Sequence, residues 1–247
     1  MDDASGMTLT ARDGQRFRFD AGTLCLEFLL TGAADPWEQL HAPEDLAAWI
    51  PRSRLGLPGP VSVDESDLRA AKRLRAAVLH LAEHATGRRV PGARPFPEPP
   101  LDGSSPGESS VGESPPGGSS VGRSPVGGSS PGGAPRDGQA GVVRALEAVN
   151  EAAAAPPPVP VVSRAPGRDA GSGLERGWAE PVTAAQFLSA VARDAIELFS
   201  SPLVDRVRMC EGERCALIFL DTSRPGARRW CSMSRCGNRH KMRARRS

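Results

Sequence analysis

The stretches CEGERC (residues 210–215) and CSMSRC (231–236), with fifteen residues between them, decide the fold of the C-terminal part of this chain. Four of the five cysteines lie in these two stretches. Each close pair lets a turn bring two thiolates together, and the intervening loop folds one pair onto the other. Four sulfurs with no open coordination position are typical of a structural ion. We therefore predict one structural Zn²⁺ bound by Cys210, Cys215, Cys231 and Cys236.

The residues around the two cysteine pairs predict a small α+β domain, treble-clef or ribbon-like. The β-type run 216–220 and the turn formers of 221–226 indicate a hairpin between the pairs. Ser232 or Ser234 is a candidate N-cap for a helix that runs to about Arg246. A unit of about 40 residues is small enough to need a staple, which zinc supplies.

Charge is distributed unevenly along the 247 residues, whose net charge is only +2. Residues 206–247 hold 12 basic and three acidic side chains, a net of +9, which leaves −7 for residues 1–205. Four thiolates and one Zn²⁺ lower the tail to about +7. A basic tail on an acidic body predicts a polyanionic partner for the tail.

Arginines recur at helical spacing after the second cysteine pair. Arg235, Arg239, Arg243 and Arg246 are spaced i, i+4, i+8 and i+11, so they share one face of the predicted helix. Guanidinium groups suit phosphate and guanine edges, and a helix fits the major groove of DNA. Asn238 either reads adenine or holds the turn that follows Cys236. The candidate nucleic-acid contacts are Arg228, Arg229, Arg235, Asn238, Arg239, Lys241, Arg243, Arg245 and Arg246.

Residues 1–205 read as one mainly α-helical domain with an insertion at 91–138. Between 102 and 133, 25 of 32 residues are Pro, Gly or Ser, and a ten-residue motif repeats there. Such a segment buries too little apolar area to offset its ordering entropy, which predicts disorder. The apolar patterns predict helices at 44–49, from Asp67 to 86, at 140–155 and at 183–200, and a strand at 17–19. Gly87 is expected to end the second of these helices. The predicted apolar stripes of the second and the last helix are Leu68, Ala71, Leu74, Val78, Leu81 and Ala85, and Phe187, Leu188, Val191, Ala195 and Leu198. The apolar segment 22–31 has no clear period.

The motifs of the tail resemble those of the CGNR zinc finger. The residues that carry this resemblance are Arg208, Cys210, Cys215, the run Phe219-Leu220-Asp221 with Ser223, the run from Arg229 to Met233, the run Cys236-Gly237-Asn238-Arg239, and Lys241. The resemblance implies that the four cysteines bind zinc.

The N-terminal part carries the pattern from Phe17 to Phe28, the pair Leu74-Arg75 and a predicted helix before Cys210. These features resemble a second family, a domain called ABATE that is described as a stress-induced transcription regulator and is commonly joined to the CGNR finger. Leu30 stands where Asn is usual in that domain. The resemblance implies a bacterial, DNA-binding transcriptional regulator.

Several functions remain open at this stage. Double-stranded DNA is the expected partner, and the N-terminal domain is expected to sense an unknown small-molecule effector or partner. The alternatives are an RNA-binding zinc module and a zinc–thiolate redox-responsive regulator. A single finger reads few base pairs, which favours a homodimer, although the oligomeric state stays open.

No enzyme or membrane protein is expected. The triplet His80, Glu83 and His84 spells the inverted zincin motif, but both histidines lie off the apolar stripe and no third ligand follows. Cys25, between two leucines, is read as a core residue. The polar N-terminus and the short apolar runs predict a cytoplasmic protein without a spanning helix.

Overall fold

The computed structural model describes residues 6–11, 13–32, 37–93, 96, 136–164, 173–213 and 215–245, with side chains within 136–138 left out. Six helices and six short strands are found in these ranges. The helices are α1 (Leu24–Phe28), α2 (Pro43–Trp49), α3 (Glu65–Thr86), α4 (Arg136–Ala153), α5 (Ala184–Phe199) and α6 (Asn238–Ala244). The strands are β1 (Met7–Thr10), β2 (Arg16–Phe19), β3 (Pro160–Arg164), β4 (Leu174–Trp178), β5 (Val207–Met209) and β6 (Ile218–Leu220).

Helix α3 is the longest element and is capped at both ends. Asp64 accepts hydrogen bonds from the backbone N–H groups of Ser66 (2.7 Å) and Asp67 (2.9 Å). Asp67 in return accepts from the N–H of Asp64 at 3.2 Å. The predicted start at Asp67 is therefore wrong by one turn, because Asp67 closes a capping box. Gly87, with φ of 63°, ends the helix as expected.

The core of the N-terminal part is formed by α1, α3, α4 and α5. The predicted apolar stripe of α5 is confirmed as buried: Phe187, Leu188, Val191, Ala195 and Leu198. On α3 the predicted stripe is buried from Leu68 to Leu81, whereas Ala85 is exposed in the last turn. Phe28 of α1 packs edge-on against Phe187, with ring centroids 5.7 Å apart.

The ambiguous apolar segment at 22–31 forms α1 and a short 3₁₀ helix, Leu29–Thr31. Its two buried polar residues, Glu27 and Thr31, are each hydrogen-bonded to an arginine. Glu27 accepts from the backbone N–H of Arg54 at 2.6 Å and from its Nε at 3.0 Å. The carbonyl of Thr31 accepts from the buried Arg75 at 2.9 Å, and Arg75 also pairs with Glu38. These pairs explain why charge is tolerated in so apolar a region.

The predicted disordered insertion at 91–138 lies largely outside the described residues, and α4 begins within it at Arg136. The helices on its two sides, α3 and α4, pack together. Arg73 of α3 and Glu151 of α4 form an ion pair at 2.9 Å. Helices α3 and α4 therefore belong to one packed unit, while the bounds of the insertion at 91–138 stay a prediction.

The antiparallel hairpin β3–β4 was not anticipated from the sequence. All five residues of β3 are exposed, so the strand carries no apolar alternation that could reveal it.

The C-terminal finger packs directly against the N-terminal part. The backbone N–H of Leu220 in β6 donates to the carbonyl of Ala21 at 2.9 Å. Phe219 packs edge-on against Phe19 of β2, with centroids 6.4 Å apart. Arg88, just after α3, donates to the carbonyl of Met209 at 2.9 Å. The apolar core is therefore continuous between the two parts, while the boundary at 205/206 stays a prediction.

Candidate metal centre and nucleic-acid interface

The first cysteine pair lies in the turn of the β5–β6 hairpin. Met209 pairs with Ile218, and the ladder continues as the N–H of Cys210 donates to the carbonyl of Leu217 at 2.9 Å. The backbone N–H of Cys215 then closes the turn by donating a hydrogen bond to the carbonyl of Gly212 at 3.0 Å. The prediction of a hairpin between the two cysteine pairs is wrong. The strand at 218–220 instead pairs with β5, which precedes the first cysteine pair.

A buried aspartate organises the loop that leads to the second pair. Asp221 accepts from the N–H groups of Ser223 (2.9 Å) and Arg228 (2.8 Å). Burial raises the pKa of this carboxyl, but these hydrogen bonds and nearby Arg206 outweigh it, so the pKa is lowered. The loop is then tied to the first pair, because the N–H of Glu211 donates to the carbonyl of Arg229 at 3.0 Å.

The second pair opens a helical segment that differs from the predicted one. Residues Met233–Gly237 form a π-helical turn, and α6 follows from Asn238 to Ala244. Ser232 makes no cap hydrogen bond to the helix, and its hydroxyl lies 2.7 Å from that of Ser234. The predicted serine cap is therefore absent. Cys236 lies within the π turn and Cys231 lies two residues before it, and both are buried.

The four cysteine sulfurs form a compact cluster. All four Sγ atoms lie within 4.8 Å of one another, with 3.7 Å between Cys215 and Cys231 and 3.5 Å between Cys231 and Cys236. A tetrahedral ion with Zn–S bonds of about 2.3 Å requires S···S separations of about 3.8 Å. The cysteines therefore fit one zinc ion, with no ligand left over and no position open for a substrate.

Hydrogen bonds and crowding set the charge of the cluster. Cys210 accepts from the thiols of Cys215 and Cys231 and from the backbone N–H groups of Cys231 (3.3 Å) and Gly212 (3.4 Å), which lowers its pKa to about 2. The Cys210 thiolate in turn raises the pKa of Cys215 to about 12. Ionised together as zinc ligands, the four thiolates would repel one another, and a divalent cation neutralises that repulsion.

Gly212 is a site residue to which the sequence analysis assigned no role. A Cβ atom at this position would lie 2.7 Å from Sγ of Cys236 and 3.3 Å from Cβ of Cys215. A glycine between two close cysteines is the signal that could have identified it.

We expect Gly212→Ala to weaken zinc binding, because the added methyl group collides with Sγ of Cys236. Overpacking of this kind costs about 1–3 kcal/mol, which lowers zinc affinity about tenfold or more. Competition with a chelator of known affinity measures the effect. Gly177→Ala is the control, because its Cβ would meet only ordinary contacts from 3.6 Å. Equal zinc retention by the two variants would contradict the steric argument.

Arg228 is a predicted contact that is half-buried and tied to the backbone. Its side chain donates to the carbonyls of Cys231 (2.8 Å), Trp230 (3.1 Å) and Asp20 (3.3 Å). Its guanidinium carbon also lies 4.0 Å from the ring centroid of Phe219. These contacts hold the second cysteine pair against the N-terminal part, which is a structural task.

Three other predicted contacts are exposed cations that pair with acidic side chains of this chain. Arg229 pairs with Glu211 at 2.5 Å, Arg239 pairs with Asp13, and Arg243 pairs with Glu213. Each cation keeps roughly half or more of its side chain exposed. Exposed pairs of this kind are weak, so a polyanion can replace the carboxylate.

The remaining predicted contacts differ in their surroundings. Asn238 donates to the carbonyl of Ser234 at 3.3 Å, which supports the turn-holding role. Lys241 and Arg245 are exposed, and Arg246 lies outside the described residues. Arg235 is half-buried in the π turn, with its guanidinium carbon 5.0 Å from the ring centroid of Phe17. Arg235 therefore does not belong to the exposed surface of α6.

The zincin-like triplet is explained by local packing. Glu83 is buried and accepts from the backbone N–H of Val90 at 2.6 Å, which closes the chain after α3. His80 contacts Phe96, with ring centroids 6.3 Å apart. Among the His, Cys, Asp and Glu side chains of the described ranges, the four cysteines form the group whose ligand atoms are close enough to share a metal. Cys25 is fully buried in the core, as predicted.

None of the described helices combines sufficient length with sufficient apolar character to span a membrane.

Both parts of the chain match known protein families. Residues 206–247 match the CGNR zinc finger, and residues 22–202 match ABATE, whose description is "Putative stress-induced transcription regulator". No curated protein matches the chain. Both families are regulator or zinc-finger types. Because the second match spans more than half of the sequence, the chain belongs to the ABATE family and carries a C-terminal CGNR zinc finger whose four cysteines form the zinc site.

Proposed function

We propose that this protein is a transcriptional regulator that binds double-stranded DNA through α6 and the residues next to it. The observation that carries the proposal is a short helix, rich in exposed cations, that begins directly after a zinc ligand. Zinc binding at Cys236 fixes the start of α6, and Arg239, Lys241, Arg243 and Arg245 follow within nine residues.

The dimensions of α6 suit duplex DNA. A helix with its side chains is about 10–12 Å across, and the major groove of B-DNA is about 12 Å wide. All eight residues from 238 to 245 are exposed, so nothing in the described fold covers this surface. This surface has few aromatic side chains. The ring of Trp230 packs against that of His240, with ring centroids 4.9 Å apart. This packing argues against a platform on which single-stranded bases stack.

The proposal is tested by competition between nucleic acids. Full-length, zinc-loaded protein is bound to a labelled random-sequence duplex and challenged with unlabelled duplex DNA or a structured RNA hairpin of equal phosphate number. We expect duplex DNA to compete better. Stronger competition by the RNA would overturn DNA as the partner and favour the RNA-binding alternative. Selection of bound genomic fragments then separates a regulator, which enriches a sequence, from a general polyanion binder.

A redox-responsive regulator is the second candidate function. Cys215 is the one zinc ligand that is not fully buried, so an oxidant reaches its sulfur first. Oxidation of a zinc-bound thiolate releases the ion, and α6 would lose its anchor. Peroxide-dependent zinc release that is reversed by a thiol reductant would support this candidate, and zinc retention in peroxide would exclude it.

We expect Asp13→Asn to raise duplex affinity about two- to fivefold at low salt. Asp13 pairs with Arg239, so DNA must displace this carboxylate before Arg239 can contact a phosphate. Fluorescence anisotropy of a labelled duplex measures the change. Glu44→Gln, which removes an exposed charge on α2, is the matched control and should leave affinity unchanged. A lower affinity for Asp13→Asn would show that the pair positions Arg239 for DNA instead of competing with it.

A further inference from the structure

A cavity of about 360 Å³ lies where the finger meets the N-terminal part. One wall is formed by the β1–β2 hairpin and the residues around α1, and the opposite wall by the finger. The walls are largely apolar, and representative lining residues are Leu9, Phe17, Leu26, Leu30 and Leu217. This volume is within the range of small-molecule sites, about 300–1,000 Å³.

The charged groups of the cavity have one sign. Arg52 and Arg235 line it, and no acidic side chain of the described residues does. Arg235 is half-buried, and its Nε is buried without a hydrogen-bond partner in the described part of the chain. A buried N–H group without an acceptor is costly. The other side of the same guanidinium is in use, since Nη1 lies 3.9 Å from Sγ of Cys236.

We propose that this cavity binds a small carboxylic acid with an apolar body, such as a medium-chain fatty acid, whose carboxylate pairs with Arg235. The apolar walls remove the hydrocarbon from water, and the guanidinium supplies the charge-assisted hydrogen bonds that a carboxylate needs. A neutral or cationic ligand of the same shape leaves Arg235 unpaired or repels it. The cavity therefore selects for anionic ligands.

The same cavity connects the ligand to the basic helix. Its finger wall includes the zinc ligand Cys215 and Arg235, and Arg235 lies in the π turn three residues before α6. A bound carboxylate also adds negative charge beside the cations that face DNA. This regulatory step rests on the proposed function, and it predicts that the ligand weakens DNA binding.

Ligand binding is tested without DNA. Full-length, zinc-loaded protein is titrated calorimetrically with decanoate, and in parallel with decanamide and decylammonium. We expect saturable binding of one decanoate per chain and at least about tenfold weaker binding of the two other compounds. Absence of decanoate binding, or equal affinity for decanoate and decylammonium, would overturn the proposal.

Two variants locate the site, and one serves as control. Arg235→Gln removes the partner of the carboxylate, and we expect decanoate affinity to fall about tenfold or more. Leu9→Trp fills the cavity from β1, and we expect it to abolish binding while zinc content and thermal unfolding stay unchanged. Arg239→Gln removes an equal charge outside the cavity and should bind decanoate normally. Equal loss in Arg235→Gln and Arg239→Gln would show that only overall charge matters and would overturn the site.

The regulatory step has its own measurement. Saturating decanoate should lower duplex affinity about threefold or more in the wild type and leave Leu9→Trp unaffected. Unchanged affinity in the wild type, with calorimetric binding intact, overturns the coupling but not the cavity. A protein that binds decanoate and no nucleic acid at all overturns the proposed function and leaves the ligand site standing.

Discussion

We expect Cys236→Ser to lose its zinc and, with it, the proposed DNA binding. Structural zinc contributes an apparent 10–16 kcal/mol to the folding of small zinc domains. One of four ligands accounts for about a quarter of this, roughly 2.5–4 kcal/mol, so zinc affinity should fall about 60- to 700-fold. Cys236 sits in the π turn directly before α6, and a helix of seven residues has no stability alone. The variant therefore loses the anchor of its cationic surface.

The measurement pairs zinc quantification after dialysis with anisotropy on a labelled duplex. Wild-type protein should retain one zinc per chain, and Cys236→Ser should retain little and bind duplex with affinity reduced about 100-fold or more. Cys25→Ala is the matched control, because this buried thiol lies on α1, outside the cluster. It should keep its full zinc content even though it lowers overall stability. Undiminished DNA binding by zinc-free Cys236→Ser would refute the structural role of the metal.

The zinc cluster was predictable because its information is local. Two short spacings and the loop between them leave few other ways to use four thiols, and the structure brings the sulfurs together. The stripe of α5 was predictable for a similar reason, since a regular apolar period over sixteen residues has one helical interpretation. By contrast, strands of three residues carry no period that identifies a partner. The pairing of β6 with β5 was therefore beyond the sequence pattern.

The roles of Arg228 and Arg235 depend on contacts that are distant in sequence. An ideal helix drawn from the second cysteine pair places Arg235 in line with Arg239 and Arg243. The π turn breaks that register and places Arg235 against Phe17, near the other end of the chain. Arg228 is likewise positioned by carbonyl groups and by Phe219. A count of basic residues therefore overestimates the surface available to DNA, because these two are engaged elsewhere.

Affinity for duplex DNA should fall steeply as the salt concentration rises. The steepness depends on the four cations of α6 and of the residue that follows it. Arg239, Lys241, Arg243 and Arg245 are exposed, and each phosphate neutralised on B-DNA contributes about −0.9 to the slope of log affinity against log salt. Four contacts predict a slope of about −3.6, which is a loss of roughly 150-fold between 50 and 200 mM salt. A slope near zero would show that these residues do not meet phosphates.

The variant Arg243→Ala then separates phosphate contact from base recognition. If Arg243 contacts a phosphate, its loss should weaken binding about equally on all duplexes and make the slope shallower by about 0.9. If it reads a base edge, the slope changes little and preference at one base position is lost. Arg69→Ala on α3 removes an equal charge outside the finger and should alter neither quantity. We expect the phosphate result, because Arg243 pairs with the exposed carboxylate of Glu213 at the surface, where a phosphate oxygen can take the same place.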